Sequence, residues 1–313
     1  MEYIVAGYNM LTDVHFADGK TIENTPGGSF YSASGVRFWR KSTAYVGTAG
    51  PDFKDYYGDW FSANKIACNV KECLPKTLKY TLDYAENGIW SEVCTYGDEY
   101  EVMAKDIGRI TPAMLAECCG PETKGIYIEA SLSAKIADNF KEVKALIPGG
   151  VLMWEINGDD LRDLSKKQAI EERISIVDAY SLNYDEACGF FGTEDKEAIY
   201  KGIQSYGKPC FFRQGELGAG MIYKDHAVFA PSVGTETSVD PTGCGNCSTA
   251  AAMIGIAEGL SPEIICGMAN IAAAHCAAQV GPWPLVTDES MAEAEKQLAD
   301  YIAKTAFVKD RLL

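Results

Sequence analysis

The eight residues Asp240-Pro241-Thr242-Gly243-Cys244-Gly245-Asn246-Cys247 gather more potential chemistry than any other stretch of this chain. They lie between a short β-type run (Thr235, Thr237, Val239) and Ser248-Thr-Ala-Ala-Ala-Met-Ile-Gly-Ile-Ala, an apolar, small-residue stretch that reads as a helix. A strand, a glycine turn and a helix N-terminus in that order make an anion site. Gly243 and Gly245 can take positive φ, so successive backbone N–H groups can point into one concavity. The helix adds its unpaired N–H groups and the positive end of its dipole. Such a device suits a transferred phosphoryl group, where catalysis is mostly positioning and electrostatics. A plain helix cap after a loop fits the same residues. Cys244-Gly-Asn-Cys247 is also formally a C-x-x-C at a helix start, the setting of a thiol redox pair. The chain has 11 scattered cysteines and no second C-x-x-C to complete a zinc site, so two thiols at a helix end is the plainer reading.

The elements that must position this turn alternate between strand and helix, the pattern of a mainly parallel sheet covered on both faces. Strands are expected at 2–7, 42–47, 125–129, 151–155, 174–178 and 209–213, with a small β-ribbon from 221–223 and 226–229. Helices are expected after Gly28, at 51–64, 133–146 and 160–172, and at 246–258, 262–279 and 289–304. Asp52 is placed as a helix N-cap. Residues 70–105 break the rhythm: two β-rich runs flank Asn87-Gly88, a strong hairpin signal, and carry Tyr80, Tyr84, Trp90 and Tyr96. They read as a projecting β-lid.

The 313 residues show no internal repeat and no composition shift, so one domain is expected over 1–313. A hydrophobic content of 47% is enough for a large core, and a net charge of −16 argues against a nucleic-acid or anionic-membrane surface. That charge leaves phosphate ligands open, since backbone dipoles and a bound cation hold anions locally. No stretch reaches the length of a membrane span, and the N-terminus has no basic leader region, so a cytoplasmic protein is expected. Neither a Walker A sequence nor a G-x-G-x-x-G after the first strand is present.

The turn at 240–246 resembles the C-terminal signature of the ribokinase-like (PfkB) carbohydrate kinases, D-[TV]-[TV]-G-A-G-D, matching it at Asp240, Thr242, Gly243 and Gly245. The resemblance implies a three-layer α/β sandwich with a small β-lid formed by about 8–20 and 70–105. It also implies that Gly243, Cys244 and Gly245 supply the anion hole. Asn246 stands where the family has its catalytic Asp, and an amide cannot usefully accept the proton of a substrate hydroxyl. Gly27-Gly28 with Ser32 is similar to the family's G-G-x-x-x-N, and Asn9 and Asp13 follow the first strand. These five residues are the implied substrate ligands. Asn183-Tyr184-Asp185-Glu186 resembles N-x-x-E, whose Glu organises Mg²⁺, although an Asn cap with a Glu in the first turn reads the same way. Arg213, Gly215 and Gly218 stand where the family has T-x-G-x-x-G, and Arg213 either reaches phosphates or pairs with a carboxylate. Asn270 lies on the helix that walls the adenine pocket, and His275 reads as a satisfied core histidine.

The resemblance therefore implies ATP and Mg²⁺ as cofactors, with a monovalent cation as a further candidate, and phosphorylation of a hydroxyl on a sugar-like molecule. The acceptor hexose, amino sugar or nucleoside is not specified, and the lid is expected to close over it or pair with a second copy. Asn246 leaves a second reading open, a binding protein of the same fold without efficient turnover.

Overall fold

A computed structural model describes residues 1–86 and 90–312; the expected Asn87-Gly88 turn lies outside the described residues. A ten-stranded sheet forms the middle layer. Seven of its strands are parallel, in the order Ala67–Glu72, Thr43–Ala49, Tyr3–Ala6, Gly125–Ala130, Val151–Ile156, Ala179–Asn183 and Cys210–Arg213. Gly218–Ile222, Ala227–Pro231 and Val308–Lys309 extend the edge in antiparallel fashion. Alternation along each strand feeds two cores. Tyr3 and Val5 join Tyr127, Met153 and Phe211 beneath the helices Ser29–Trp39, Cys244–Ala257 and Pro262–Ala277. Ile4 and Ala6 join Ile128, Trp154 and Phe212 beneath Phe140–Leu146, Lys167–Ile176 and Lys196–Ser205. Both faces are thus buried, and the near-continuous apolar runs that suggested parallel strands follow from that burial.

The strand order reverses between Tyr3–Ala6 and Gly125–Ala130: the chain first builds outward on one side, then restarts on the other. In open α/β sheets the crevice beyond the carboxyl ends of the strands at such a reversal is where ligands bind. A separate four-stranded sheet, in the order Thr21–Pro26, Met10–His15, Leu78–Tyr84 and Trp90–Cys94, rests on its own small core of Leu74, Leu78, Tyr80, Cys94 and Ala104. No helix among the described residues is long and apolar enough to cross a membrane.

Several local expectations are corrected. Residues 174–176 finish the helix Lys167–Ile176, whose Ile170 and Ile174 lie one turn apart on the buried face, and the strand begins at Ala179. The β-type run before the turn is a 3-10 segment, Thr235–Thr237. Residues 133–146 break into Lys135–Asp138 and Phe140–Leu146. Asp52 makes no side-chain cap; its Oδ1 accepts instead from the Thr77 backbone N–H at 2.8 Å and from the Thr77 hydroxyl at 2.7 Å.

Candidate active site

The site begins with strand parity. Because Tyr127, Met153 and Phe211 face one core layer, the residues two positions on, Glu129, Glu155 and Arg213, face the same way at the strand ends. The register sets Glu129 beside Glu155, and Asn183 beside Arg213. Arg213 Nη1 lies 3.1 Å from Glu155 Oε1, and Nη2 lies 3.6 Å from Glu186 Oε2. The Tyr127 hydroxyl donates to Glu155 Oε2, and Asn246 Nδ2 reaches the Tyr127 hydroxyl at 3.5 Å. Burial works against the charge on Arg213, but Glu155 and Glu186 outweigh it and hold the guanidinium above its ordinary pKa. Of the two alternatives for Arg213, it takes carboxylate pairing while remaining in the wall of a cavity.

The turn at 240–246 is tied down at both ends. Val239 and Asp240 donate backbone N–H groups to Ala277 O at 2.7 and 3.1 Å, and Asp240 Oδ1 accepts from Thr242 N at 2.9 Å. Gly243 has φ +79° and caps the helix Cys244–Ala257, with the Tyr31 ring against its Cα where a side chain would stand. Gly245 is not left-handed as expected. It is helical, and its bare Cα lets Arg213 Nη1 pass where a methyl would collide. The thiols of Cys244 and Cys247 donate to Ala273 O and Ala272 O at 3.4 and 3.5 Å. Contact with Cys276, then burial, raises the Cys244 pKa, which disfavours the thiolate that redox chemistry needs.

Two cavities bear on the site, and the first of them is lined by residues of the turn. One, of about 420 Å³, is lined by Asn183, Asp185, Arg213, Gly215, Gly218, Cys244, Gly245 and Asn270. Asn270 is fixed there by Nδ2 donation to Ala230 O and Pro231 O at 3.2 and 3.0 Å. Glu186 stands behind the wall in a full capping box: its backbone N–H donates to Asn183 Oδ1, and its Oε2 accepts from Asn183 N. Burial raises the Glu186 pKa, and Arg213 partly opposes the shift. The other cavity, of about 480 Å³, lies between the strand ends and the small sheet and is lined by Tyr8, Leu78, Tyr80, Glu129 and Asp159 among others.

The expected substrate ligands are only partly brought to it. Gly28, with φ +48°, opens the helix Ser29–Trp39 so close to Glu129 that a Cβ there would lie 3.1 Å from Oε2. Gly27 packs on Met10, which lines the cavity, while Ser32 is buried beside Tyr127. Asp13 is turned into the small sheet, 2.7 Å from Lys79 Nζ and accepting from Asn24 N at 2.8 Å. Asn9 is spent on Tyr45 and on the Thr48 carbonyl. His275 hydrogen-bonds Gln297 at 2.9 Å and packs against Phe38 and Trp283, as a structural histidine does.

Sequence reasoning missed Tyr127, Glu129 and Glu155. The available signal was a carboxylate ending an otherwise apolar strand, in Ile-Tyr-Ile-Glu129 and Leu-Met-Trp-Glu155. Glu129 stands apart from the others. Its residue opens partly to the cavity, yet Oε2 is sealed from solvent and has no hydrogen-bond partner. Burial and then Glu155 push its pKa up to about 8, against the opposing pull of Asn246 and Arg213.

The model for the pfkB family carbohydrate kinases matches residues 154–287. No curated protein matches the chain. Among solved structures it is similar to adenosine kinase from Sinorhizobium meliloti, at 19% identity and a TM-score of 0.75 over 95% of this chain and 98% of that one. An E. coli protein solved in complex with ATP and Mg²⁺ under the name ribokinase II aligns at 16% identity and a TM-score of 0.74, covering 96% and 99%. The Burkholderia thailandensis nucleoside kinase in complex with inosine gives 15% identity and a TM-score of 0.72, covering 97% and 100%. At these identities the likeness is one of fold.

Proposed function

We propose that this chain, a member of the ribokinase-like (PfkB) family, transfers the γ-phosphoryl group of ATP to a hydroxyl of a sugar or sugar-like small molecule. The observation that carries the reading is the turn at Gly243–Asn246, whose Cys244 and Gly245 open the helix Cys244–Ala257 in the wall of the first cavity, while Asn246 hydrogen-bonds Glu129 in the wall of the second. The cavity at Asn183, Gly215, Gly218 and Asn270 takes the nucleotide, and the cavity under the small sheet takes the acceptor. The backbone N–H groups at Gly243, Cys244 and Gly245 stabilise charge on the transferring group. Arg213, kept cationic by two carboxylates, adds a fixed positive charge beside it.

Among the described residues no three His, Cys, Asp or Glu gather to hold a metal. Mg²⁺ that keeps its waters and binds chiefly phosphate oxygens needs only one or two carboxylates, and Glu186, with Asp185 in the cavity wall, fits that role. When bound, it would neutralise charge on the phosphates. The small sheet acts as a lid over the acceptor. Its outer strands, Thr21–Pro26 and Trp90–Cys94, have open edges that also suit pairing with a second copy.

Asn246 supports a second reading, a nucleotide- or sugar-binding protein without turnover, because an enzyme relying on this amide alone would be attenuated. A thermal melt followed by a coupled screen separates the two. ATP with Mg²⁺ is expected to raise Tm by mass action, equivalent to about 2.7 kcal/mol at a hundredfold excess over Kd. Glu186→Gln keeps the capping box and removes the charge, so it should weaken the Mg²⁺ dependence of that shift more than nucleotide binding itself. No stabilisation by any nucleoside triphosphate at millimolar concentration would sink both readings. The screen should include aminated sugars, because six carboxylates (Glu92, Asp98, Glu101, Glu129, Asp159, Asp160) face two lysines (Lys105, Lys166) along the acceptor cavity.

A further inference from the structure

The carboxylates near the turn differ in what they are free to do. Glu155 is held by Arg213 and Tyr127, and Glu186 by its capping box and Arg213. Asp240 is occupied with Thr242 N, and Asp13 with Lys79 and Asn24. Glu129 alone combines a place in the acceptor cavity with an oxygen that is sealed and unpartnered, Oε2. It sits on the strand beside the reversal point, against Gly28, and its charged form is favoured by the amide of Asn246. A buried carboxylate oxygen without a donor is costly to the fold, so its retention beside a phosphoryl-transfer turn points to use.

Resting on the kinase reading above, we propose that Glu129 is the general base of this protein, and that Asn246 is a positioning residue that holds Glu129 and the acceptor hydroxyl. The acceptor hydroxyl gives its proton to Glu129 as its oxygen bonds to the γ-phosphorus. The bond from that phosphorus to the β–γ bridging oxygen breaks, and its electron pair leaves on the nucleoside diphosphate. The proton passes to solvent after product departs. The family's usual base position is thus replaced by a carboxylate on the opposite wall, and Asn246 avoids a third negative charge beside Glu129 and Glu155.

The groups facing Glu129 are Glu155 and Tyr127 on the sheet, Arg213 beyond them, Tyr8 just past the strand Tyr3–Ala6, Tyr45 within the strand Thr43–Ala49, and Glu92 from the small sheet. Because burial raises the folded-state pKa, the apo fold loses stability as pH rises from the ordinary carboxylate range through about 8. Glu129→Gln should therefore match the wild type in Tm near pH 5 and exceed it by a few degrees at pH 9. With ribose, fructose, glucosamine and inosine as acceptors, Glu129→Gln should lower kcat by at least ~10²-fold while leaving the ATP–Mg²⁺ melting shift in place. Wild-type kcat should rise with pH towards 9. The double variant Glu129→Gln/Asn246→Asp, with a carboxylate returned to the turn, should recover activity and lose that rise. The proposal is overturned if Glu129→Gln keeps kcat within threefold or changes only KM. It is also overturned if the Tm difference does not vary with pH, or if Asn246→Asp alone raises turnover ~10-fold or more with Glu129→Gln silent. Loss of the ATP–Mg²⁺ shift in the wild type would instead remove the kinase reading itself.

Discussion

Gly243→Ala is expected to remove phosphoryl transfer and to destabilise the fold by about 2–5 kcal/mol, from a left-handed backbone penalty of about 1–2 and overpacking of about 1–3. Gly243 has φ +79°, and the added methyl would enter the ring of Tyr31, which is only 1% exposed and cannot swing aside. The turn must then shift, carrying with it the N–H groups that open the helix Cys244–Ala257. Urea unfolding gives the stability change, and the melting shift with ATP–Mg²⁺ reports the anion site independently of any acceptor. A variant as stable as the wild type with the same nucleotide shift would show that the turn is an ordinary helix cap. Gly245→Ala makes a useful contrast. Its backbone is helical, so only the collision with Arg213 Nη1 remains, and the smaller stability loss should come with a displaced guanidinium.

Much of this arrangement was legible in the sequence, and the part that was not has a physical cause. The parallel strands showed as apolar runs because both of their faces are buried, and the Gly243 turn showed because its backbone demands glycine. The 174–178 segment misled because Ile174, Ile176 and Val177 fit a short buried strand as well as a helix end, and periodicity cannot separate the two over so few residues. The substrate ligands were harder. Asp13 and Asn9 follow the first strand at a plausible distance, but Asp13 is turned into its own sheet by pairing with Leu78–Tyr84, nearly seventy residues on, and Asn9 is taken up by Tyr45 and Thr48 of the strand Thr43–Ala49. Glu129 and Glu155 were overlooked because a charge at the end of an apolar run is usually a strand leaving the core. Their meaning appears only when parallel register sets them side by side and Arg213 arrives from two strands away to pair with one of them. Asn246 could be seen as a departure from the family signature, but its consequence depends on the carboxylate across from it.

The same pairing makes Arg213 the most exposed point of the design. Arg213→Met should destabilise the protein by about 3–5 kcal/mol near neutral pH, because it leaves charge stranded on two buried carboxylates. Glu155 and Glu186 are 7% and 8% exposed, and the donors left to them are the Tyr127 hydroxyl and the Asn183 backbone N–H. The sign with pH follows. Removing the guanidinium takes away the charge that opposes burial at Glu186 and raises its folded-state pKa further, so the variant's folded form takes up a proton that its unfolded form does not, and the deficit shrinks as pH falls towards the ordinary carboxylate range. It is full above that raised pKa. Glu186 already titrates high in the wild type because burial outweighs Arg213, so the relief should begin above the ordinary carboxylate range on acidification. Arg213→Lys should restore only part of the loss, since one ammonium cannot span Glu155 Oε1 and Glu186 Oε2 as the planar fork does at 3.1 and 3.6 Å. Urea unfolding of wild type and both variants at pH 5 and pH 8 measures all of this. A stability difference that stays constant between the two pH values would mean that Glu186 is already protonated beside Arg213. The positive charge placed at the turn would then be held by one anionic partner in place of two.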